Sequence, residues 1–449
     1  MRLQTSAGPV IKPSVGRVVL VVVFWLGLAV AIATWWIDTP GGSVAGVGQT
    51  LTEVGRITGI VGGYLLLTQF ALMSRVTVLE RWAGAYLLLR WHRDIGSSLV
   101  AVVLTHVLFI IVGYANVNET PVSTEGWRIL TTYAAMVSAF VAMLILAVVV
   151  FLAVRNVRRV LPYELWYFLH TSSYLVLLFV YGHQFADGEQ FLPEGFGRRY
   201  WTLLYAVVVG SLVYGRVVAP YRLNKRHRLR VRDVFVESDD VFSIYITGQR
   251  LQELEAKAGQ FFRWRFMASG CWWQAHPFSL SASPNGKWLR LTIKVVGNHT
   301  ARLSMLPRGV RVYVEGPSGV FTSDRAVLPR ALLIAGGSGI APVRALLEEL
   351  ARGAIVIYRA RSDEDLVFRD EFEQLAEARG AEIWFVIGPR DDPDSRYALT
   401  PRGLRELVPD VTYREVYVCG PPGLTAAVLR TLRRLRVPER QIHLDRFEF

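Results

Sequence analysis

Cysteine is almost missing from this chain: Cys271 and Cys419 are the only two among 449 residues. Two isolated thiols exclude a disulfide framework, and neither has the paired spacing of a structural zinc site. Histidine is nearly as scarce, with eight copies. No EF-hand calcium loop and no regulatory extension is visible, so calcium control is not expected and the activity should be constitutive. Acids are short as well, 37 Asp and Glu against 50 Lys and Arg, for a formal net charge of +13. An excess of that size can mark nucleic-acid binding when it gathers on one folded surface. Here it is distributed along the chain in a different way.

What the chain has in quantity is apolar sequence. Hydrophobic residues make up 52% of it, and the mean hydropathy is +0.31. Six runs lack Lys, Arg, Asp and Glu: Val18–Ile37, Ile57–Ser74, Ile95–Asn118, Ile129–Val154, Leu165–Ala186 and Tyr200–Gly215. Most reach the length a helix needs to cross a bilayer, about 20 residues. The last gains length from Val217–Pro220 if Arg216 snorkels to the interface. Six membrane spans are therefore expected. Val18–Ile37 is too long for a signal peptide, lacks a small-residue cleavage site and is followed by five more runs.

The basic residues then fall into place. Alternate connections carry Arg75, Arg81, Arg90 and Arg93, then Arg155, Arg158 and Arg159, then the run RLNKRHRLRVR after Tyr221. The opposite connections carry Asp38, Glu53, Glu119, Glu125, Asp187, Glu189 and Glu194. By the positive-inside rule, the N-terminus and everything after residue 220 face the cytoplasm of a multi-pass cell-membrane protein. The charge excess is a matter of topology, the lipid bilayer is the partner, and no nucleic acid is expected.

Four of the histidines fall in or at the ends of two spans. His92 and His106 are fourteen residues apart, His170 and His183 thirteen, so each pair covers roughly 20 Å along a helix axis. Fourteen residues make nearly four turns and keep one face. Thirteen do not, so the second pair requires local overwinding or a different approach angle. Both spans start at the cytoplasm, which puts His92 and His170 at the inner depth and His106 and His183 at the outer. Ionisable groups inside a membrane are costly and mark function by default. Two imidazoles at equal depth on neighbouring helices suit the two axial positions of one iron porphyrin, and two levels imply two stacked b-type haems. Four unrelated polar residues, or a proton relay, are the competing readings; the matched depths favour the haems. Zinc fails, because it needs four ligands around one point.

After residue 225 the texture changes to strand-like alternation, as in LRVRDVFVES and VFSIYITG. Four segments follow in order: HPFSLSASP, LRLTIKVVGNHTARL, RALLIAGGSGIAPVRALLEEL and REVYVCGPPGL. The third reads as a buried strand, a glycine turn and a helix opening at Pro342, a geometry that aims free N–H groups at a pyrophosphate. In that order and spacing, the C-terminal 220 residues resemble a ferredoxin–NADP reductase-type flavoprotein. The six spans with paired histidines resemble the ferric reductase transmembrane domain. Together they resemble the NADPH oxidase and ferric reductase superfamily.

The resemblance implies three domains: a six-helix di-haem membrane domain over 1–220, an antiparallel FAD-binding β-barrel over 221–327 and a Rossmann-like NADPH-binding α/β domain over 328–449. It puts His276, Pro277, Phe278 and Ser279 against the flavin, with Ser279 bonding the isoalloxazine edge. Plant-type reductases have Arg where this chain has His276, so that position favours the membrane branch. Lys294, Gly297 and Thr300 match the segment that holds the FAD pyrophosphate. Gly336, Gly337, Gly339 and Pro342 match the NADPH pyrophosphate turn. Cys419, Gly420, Pro421 and Gly423 match the turn beside the nicotinamide. Arg361 and Arg390 sit where the family places cations against the 2′-phosphate, which implies NADPH over NADH. Of the terminal aromatics, Phe447 is the favoured stacking partner of the flavin and Phe449 the alternative.

The implied activity is electron transfer from cytoplasmic NADPH through FAD and two haems to an outer acceptor, most simply O2 giving superoxide. Arg56, at the outer depth of the second span, matches an arginine proposed to line the oxygen site; an interfacial anchor or a haem propionate partner is its alternative role. Reduction of a ferric or cupric chelate is the main rival. Delivery of electrons to an extracytoplasmic redox protein or to quinone is another. No obligate protein partner is evident.

Overall fold

The computed structural model describes residues 13–39, 44–161, 163–189, 191–192, 194–389 and 391–446. The chain divides into two compact units, Met1–Val217 and Val218–Phe449.

In the first unit the apolar runs become helices, the structure in which every backbone group bonds within its own segment and none is left to face lipid. Among the described residues, five are long and apolar enough to cross a membrane: Val15–Asp38, Ala85–Val117, Met136–Ala153, Leu165–Asp187 and Phe196–His227. A sixth counts if Gly46–Leu72 and Thr77–Ala83, bent by 93°, form one broken span. Two boundaries differ from expectation. The third span begins at Ala85, so Arg90, His92, Arg93 and Asp94 lie on the helix rather than in a connection. Residues Ile129–Thr132 belong to a separate helix, Val122–Thr132, and the fourth span starts at Met136.

Glycine sets the tightest helix pair. On Gly46–Leu72, a Cβ at Gly55 would lie 2.9 Å from Ile110, and one at Gly59 would lie 2.7 Å from the His106 ring. From the other side, a Cβ at Gly113 would meet Thr52 at 2.5 Å. Small residues in such a row let two backbones approach closely in lipid, where packing rather than the hydrophobic effect holds helices together.

Between His170 and His183 the helix tightens at Ser172. Helix Tyr163–Thr171 ends there and Ser173–Asp187 begins. Across the join, Ser172 N donates to Leu169 O at 3.2 Å and Leu175 N to Ser172 O at 2.9 Å, the three-residue spacing of a tighter turn.

The second unit starts at Val218, immediately before helix Ala219–His227. Leu223 of that helix joins the core of the following strands. Asn224 exchanges two hydrogen bonds with Val314, donating at 2.8 Å and accepting at 2.9 Å. Strands β1 (Arg230–Ser238), β2 (Val241–Thr247), β3 (Phe261–Phe266), β4 (His276–Ser279), β5 (Leu289–Lys294) and β6 (Val312–Ser318) follow. They form two antiparallel sheets, ordered β1-β2-β5 and β4-β3-β6. Their alternate inward residues, among them Phe242, Ile244, Phe262, Trp264 and Leu291, make one core. The sheets are joined by single bridges, Arg230 to Arg311 and Leu280 to Leu291; among the described residues no continuous ladder closes them into the expected barrel.

The rest is an open parallel sheet of β7 (Ala331–Gly336), β8 (Ile355–Ala360), β9 (Glu382–Ile387), β10 (Glu415–Gly420) and β11 (Ile442–Arg446). Its order is β11-β10-β7-β8-β9. The chain moves outward from β7 on one side and then restarts at β10 on the other. The switch point, where such sheets bind ligands, therefore lies beyond the carboxyl ends of β7 and β10.

One contact there is testable. A Cβ on Gly339 would lie 2.3 Å from the Cys419 carbonyl oxygen, a backbone atom that cannot swing away, whereas a Cβ on Gly423 meets nothing within 4 Å. Gly339→Ala is expected to destabilise the second unit by about 1–3 kcal/mol through overpacking, and Gly423→Ala to leave it unchanged. Thermal unfolding checks this; equal midpoints for both variants would contradict the crossing of the two turns.

Candidate functional site

The histidine pairs come first. His92 and His170 face each other with ring centres 6.1 Å apart and planes at 74°. Two imidazole nitrogens, each about 2 Å from a shared metal ion, put their ring centres at about that separation. Both rings keep a buried Nδ1 with no hydrogen-bond partner. At the other depth, the His106 Nδ1 bonds the Gly55 carbonyl at 2.7 Å, which leaves its Nε2 free to ligate. The His183 Nδ1 lies 3.7 Å from an Asp187 carboxylate oxygen. The residues present fit two bis-imidazole levels.

Arg56 occupies a different setting from the one expected. Its guanidinium donates to Glu53 at 2.6 Å and to Glu189 at 2.5 Å, and Glu53 also accepts from the Trp35 indole at 2.6 Å. Two carboxylates offset its charge, one on its own helix and one just past the end of Ser173–Asp187. That setting was hidden in the sequence because Glu189 is far away along the chain.

In the second unit, β4 carries the expected flavin segment. Register pairs Trp264 with His276, Arg263 with Pro277, Phe262 with Phe278 and Phe261 with Ser279. The Trp264 indole donates to the Phe278 carbonyl at 2.9 Å and fixes the strand. Ser279 is buried, and its hydroxyl has no partner. A buried orphan hydroxyl is costly unless a ligand satisfies it. His276 stacks on His299 with ring centres 4.1 Å apart. Sequence reasoning passed over His299, though it stands between two residues that were singled out, Gly297 and Thr300.

Two expected phosphate contacts are otherwise engaged. The Thr300 hydroxyl accepts from Val296 N at 2.9 Å and Gly297 N at 3.1 Å and donates to the Gly297 carbonyl. It is a turn organiser. The Lys294 ammonium lies 2.8 Å from Asp240 and 3.7 Å from Asp365, and its hydrogen bond to Asp240 raises its pKa. Gly297 has open space around it.

At the switch point the two glycine turns meet. Leu424 would lie 2.6 Å from a Cβ on Gly336 and 2.9 Å from one on Gly420, while Gly337 takes a positive φ of 54°. The helix opens at Ile340 through a short turn of Gly337–Gly339, two residues before Pro342, which lies buried inside it. Pro421 and Gly423 begin the helix after β10. Cys419 is fully buried, and burial pushes its thiol pKa well up; it is a neutral wall residue, not a thiolate nucleophile. Beside it on β11, burial pushes the Asp445 carboxyl up to about 7. Arg361 is exposed just past β8, the strand next to β7. Arg390, Phe447 and Phe449 lie outside the described residues.

One cluster was not anticipated. Arg290 on β5, 2% exposed, makes a bidentate pair with Glu371 at 2.9 and 3.0 Å. Arg344 reaches the same carboxylate at 2.6 Å and the Ser281 carbonyl at 3.1 Å. The cluster ties the flavin-segment sheets to the α/β sheet.

Ser279 supplies a test. Because its hydroxyl has no protein partner, Ser279→Ala should cost the FAD-free fold almost nothing. Binding of FAD should weaken by about 0.5–1.5 kcal/mol, up to about tenfold in Kd. Flavin titration beside thermal unfolding checks this; lost stability with unchanged FAD affinity would contradict the role.

Comparison with known proteins matches three families along the chain. "Ferric reductase like transmembrane component" matches residues 58–181, "FAD-binding domain" residues 226–322 and "Oxidoreductase NAD-binding domain" residues 333–430. A flavohemoprotein of Burkholderia sp. is 30% identical over 226 residues, 47% of this chain and 56% of that protein. Ferredoxin–NADP reductase B of Sorangium cellulosum is 27% identical over 38% of this chain and 77% of its own length. The ferredoxin reductase component of 3-ketosteroid-9-alpha-monooxygenase from Mycolicibacterium smegmatis is 28% identical over 49% of this chain and 65% of its own length. The chain thus spans less than two thirds of the first and third of these relatives. The order of the three matched families is that of the ferric reductase and NADPH oxidase superfamily: the chain is an oxidoreductase in which a ferric reductase-like transmembrane domain is fused to FAD- and NAD-binding domains.

Proposed function

We propose that this protein carries electrons from cytoplasmic NADPH through FAD and two b-type haems to an acceptor on the outer side of the cell membrane, with O2 as the acceptor and superoxide as the product. The observation that carries the reading is the 6.1 Å approach of His92 and His170, with a second histidine pair on the same two spans. When bound, FAD takes two electrons as a hydride from the nicotinamide and releases them singly, and each haem iron carries one.

The residues have the following parts. The glycine turns at 336–339 and 420–423 seat the nucleotide, and Arg361 offers a guanidinium to its 2′-phosphate. Ser279 and His276 orient the flavin edge. His92 with His170, and His106 with His183, would hold the two haems, which would pass electrons singly towards the outer acceptor. Outward movement of an electron gains about 2.3 kcal/mol for each 100 mV of inside-negative potential.

The acid pair around Arg56 supports a second reading, since Glu53 and Glu189 would attract a cationic metal chelate. Oxygen is preferred because, among the described residues, no group of three His, Cys, Asp or Glu is placed to hold a metal ion. Arg56 would then serve superoxide only by turning away from Glu189.

Purified protein is expected to contain two low-spin, six-coordinate haems per chain, and His106→Ala or His183→Ala to remove the outer one alone. With NADPH and FAD supplied, dismutase-sensitive dye reduction should report superoxide, and Arg56→Ala should lower it. One haem per chain, or a high-spin spectrum, would contradict the ligand assignment. Activity seen only with a ferric chelate would replace the acceptor.

A further inference from the structure

We infer that Trp166 and Arg158 are positioning residues for the inner histidine pair, the indole fixing the plane of the His170 ring and the guanidinium holding a positive charge where an electron must arrive. The inference rests on the reading of His92 and His170 as axial haem ligands.

A ligating histidine ordinarily donates its second ring N–H to a carboxylate, carbonyl or water, which sets the tautomer and the orientation of the ring. The outer level follows that pattern at His106, which bonds Gly55, but not at His183, whose buried Nδ1 has no hydrogen-bond partner and lies 3.7 Å from Asp187. The inner level does not: the Nδ1 atoms of both His92 and His170 are buried without a hydrogen-bond partner. Another contact has to hold the rings.

For His170 that contact is a stack. Trp166, one helical turn earlier on Tyr163–Thr171, lies parallel to the imidazole with ring centres 5.0 Å apart and planes 19° from each other. The i, i+4 spacing brings the two side chains together on one helix face. The indole is itself fixed, since its Nε1 donates to the Leu152 carbonyl at 3.1 Å. Leu152 is near the end of the preceding span, so two helices determine the orientation of the ring.

Arg158 adds charge to this arrangement. Its guanidinium carbon sits 4.6 Å from the centre of the Trp166 ring, within the range of a cation–π contact. Arg216, by contrast, directs its guanidinium to the Met73 carbonyl, donating at 2.7 and 3.1 Å. Reduction at the inner level adds one electron and no proton, leaving one more unit of negative charge between two neutral imidazoles. Arg158, on the exposed side of the stack, stabilises that added charge through its Coulomb field. Arg158 therefore draws the electron onto the inner level, and Trp166 both seats the cation and keeps the ligand plane constant as the charge changes.

The test uses the full chain carrying both haems, with Arg158→Gln, Trp166→Phe and Trp166→Leu beside the unaltered protein. The midpoint of each haem is followed by optical redox titration, and the low-spin g-values by electron paramagnetic resonance. His106→Ala identifies the inner haem, and the outer one serves as the internal control. Arg158→Gln and Trp166→Leu should move the inner midpoint to a more negative potential and leave the outer where it was. Trp166→Leu should also shift the inner g-values, because the ring plane is released, while Trp166→Phe, which preserves a stack, stays near the unaltered protein. An inner midpoint and g-values unchanged in both Arg158→Gln and Trp166→Leu, with both haems bound, would overturn the inference. Absence of a low-spin inner haem from the unaltered protein would instead overturn the ligand assignment on which it stands.

Discussion

His92 and His170 are removed from water inside an apolar bundle with no hydrogen bond to either Nδ1. That constraint organises the rest of the membrane unit. An unsatisfied polar group in a low-dielectric interior costs free energy, and two facing imidazoles compound the cost. In the proposed reading the other ring nitrogens, the Nε2 atoms, would hold a shared metal ion, and the Trp166 stack, not a hydrogen bond at Nδ1, keeps the His170 ring in place. Much nearby detail follows from bringing histidines of two spans to common depths. The glycine row on Gly46–Leu72 lets His106 lie against Gly59. Between His170 and His183 the helix carries a tight join at Ser172.

The second unit meets a different requirement, that two cofactor-binding sheets be held firmly against each other. Arg290, Arg344 and Glu371 do this with charge-assisted bonds from two buried guanidiniums to one half-buried carboxylate. Such a cluster adds little net stability but fixes geometry, since removing one partner leaves a buried charge uncompensated. A second lock is Glu415, fully buried, whose carboxylate accepts from Val327 N and Leu328 N at 2.9 Å and meets His443 at 2.6 Å. The peptide joining the two sheet systems is thereby pinned at Val327 and Leu328.

Features set by local pattern were legible in the sequence: the apolar runs, the matched spacing of the four histidines, the glycine turn after β7 and the HPFS segment on β4. Features set by long-range partners were not. Nothing around Arg56 points to Glu189, and nothing around Arg290 points to Glu371. The roles of Lys294 and Thr300 were drawn from a family pattern, yet both side chains already have partners, two carboxylates in one case and the turn's own backbone in the other. Trp166 was passed over because an aromatic in an apolar run is ordinarily just packing. Helix boundaries moved where charge misled, since Arg90 and Asp94 belong to the span that follows them and form an i, i+4 pair at 3.6 Å.

The central claim is that electrons cross the membrane within one chain. Proteoliposomes containing the full chain with both haems, and with an impermeant ferric acceptor sealed inside, test it most directly. NADPH added outside reaches only those molecules whose nucleotide-binding domain faces outward. The trapped acceptor should become reduced, at a rate that falls to background when His106 is replaced by alanine. Oxidation of NADPH with no reduction of the trapped acceptor, or reduction unaffected by the loss of His106, would contradict the account.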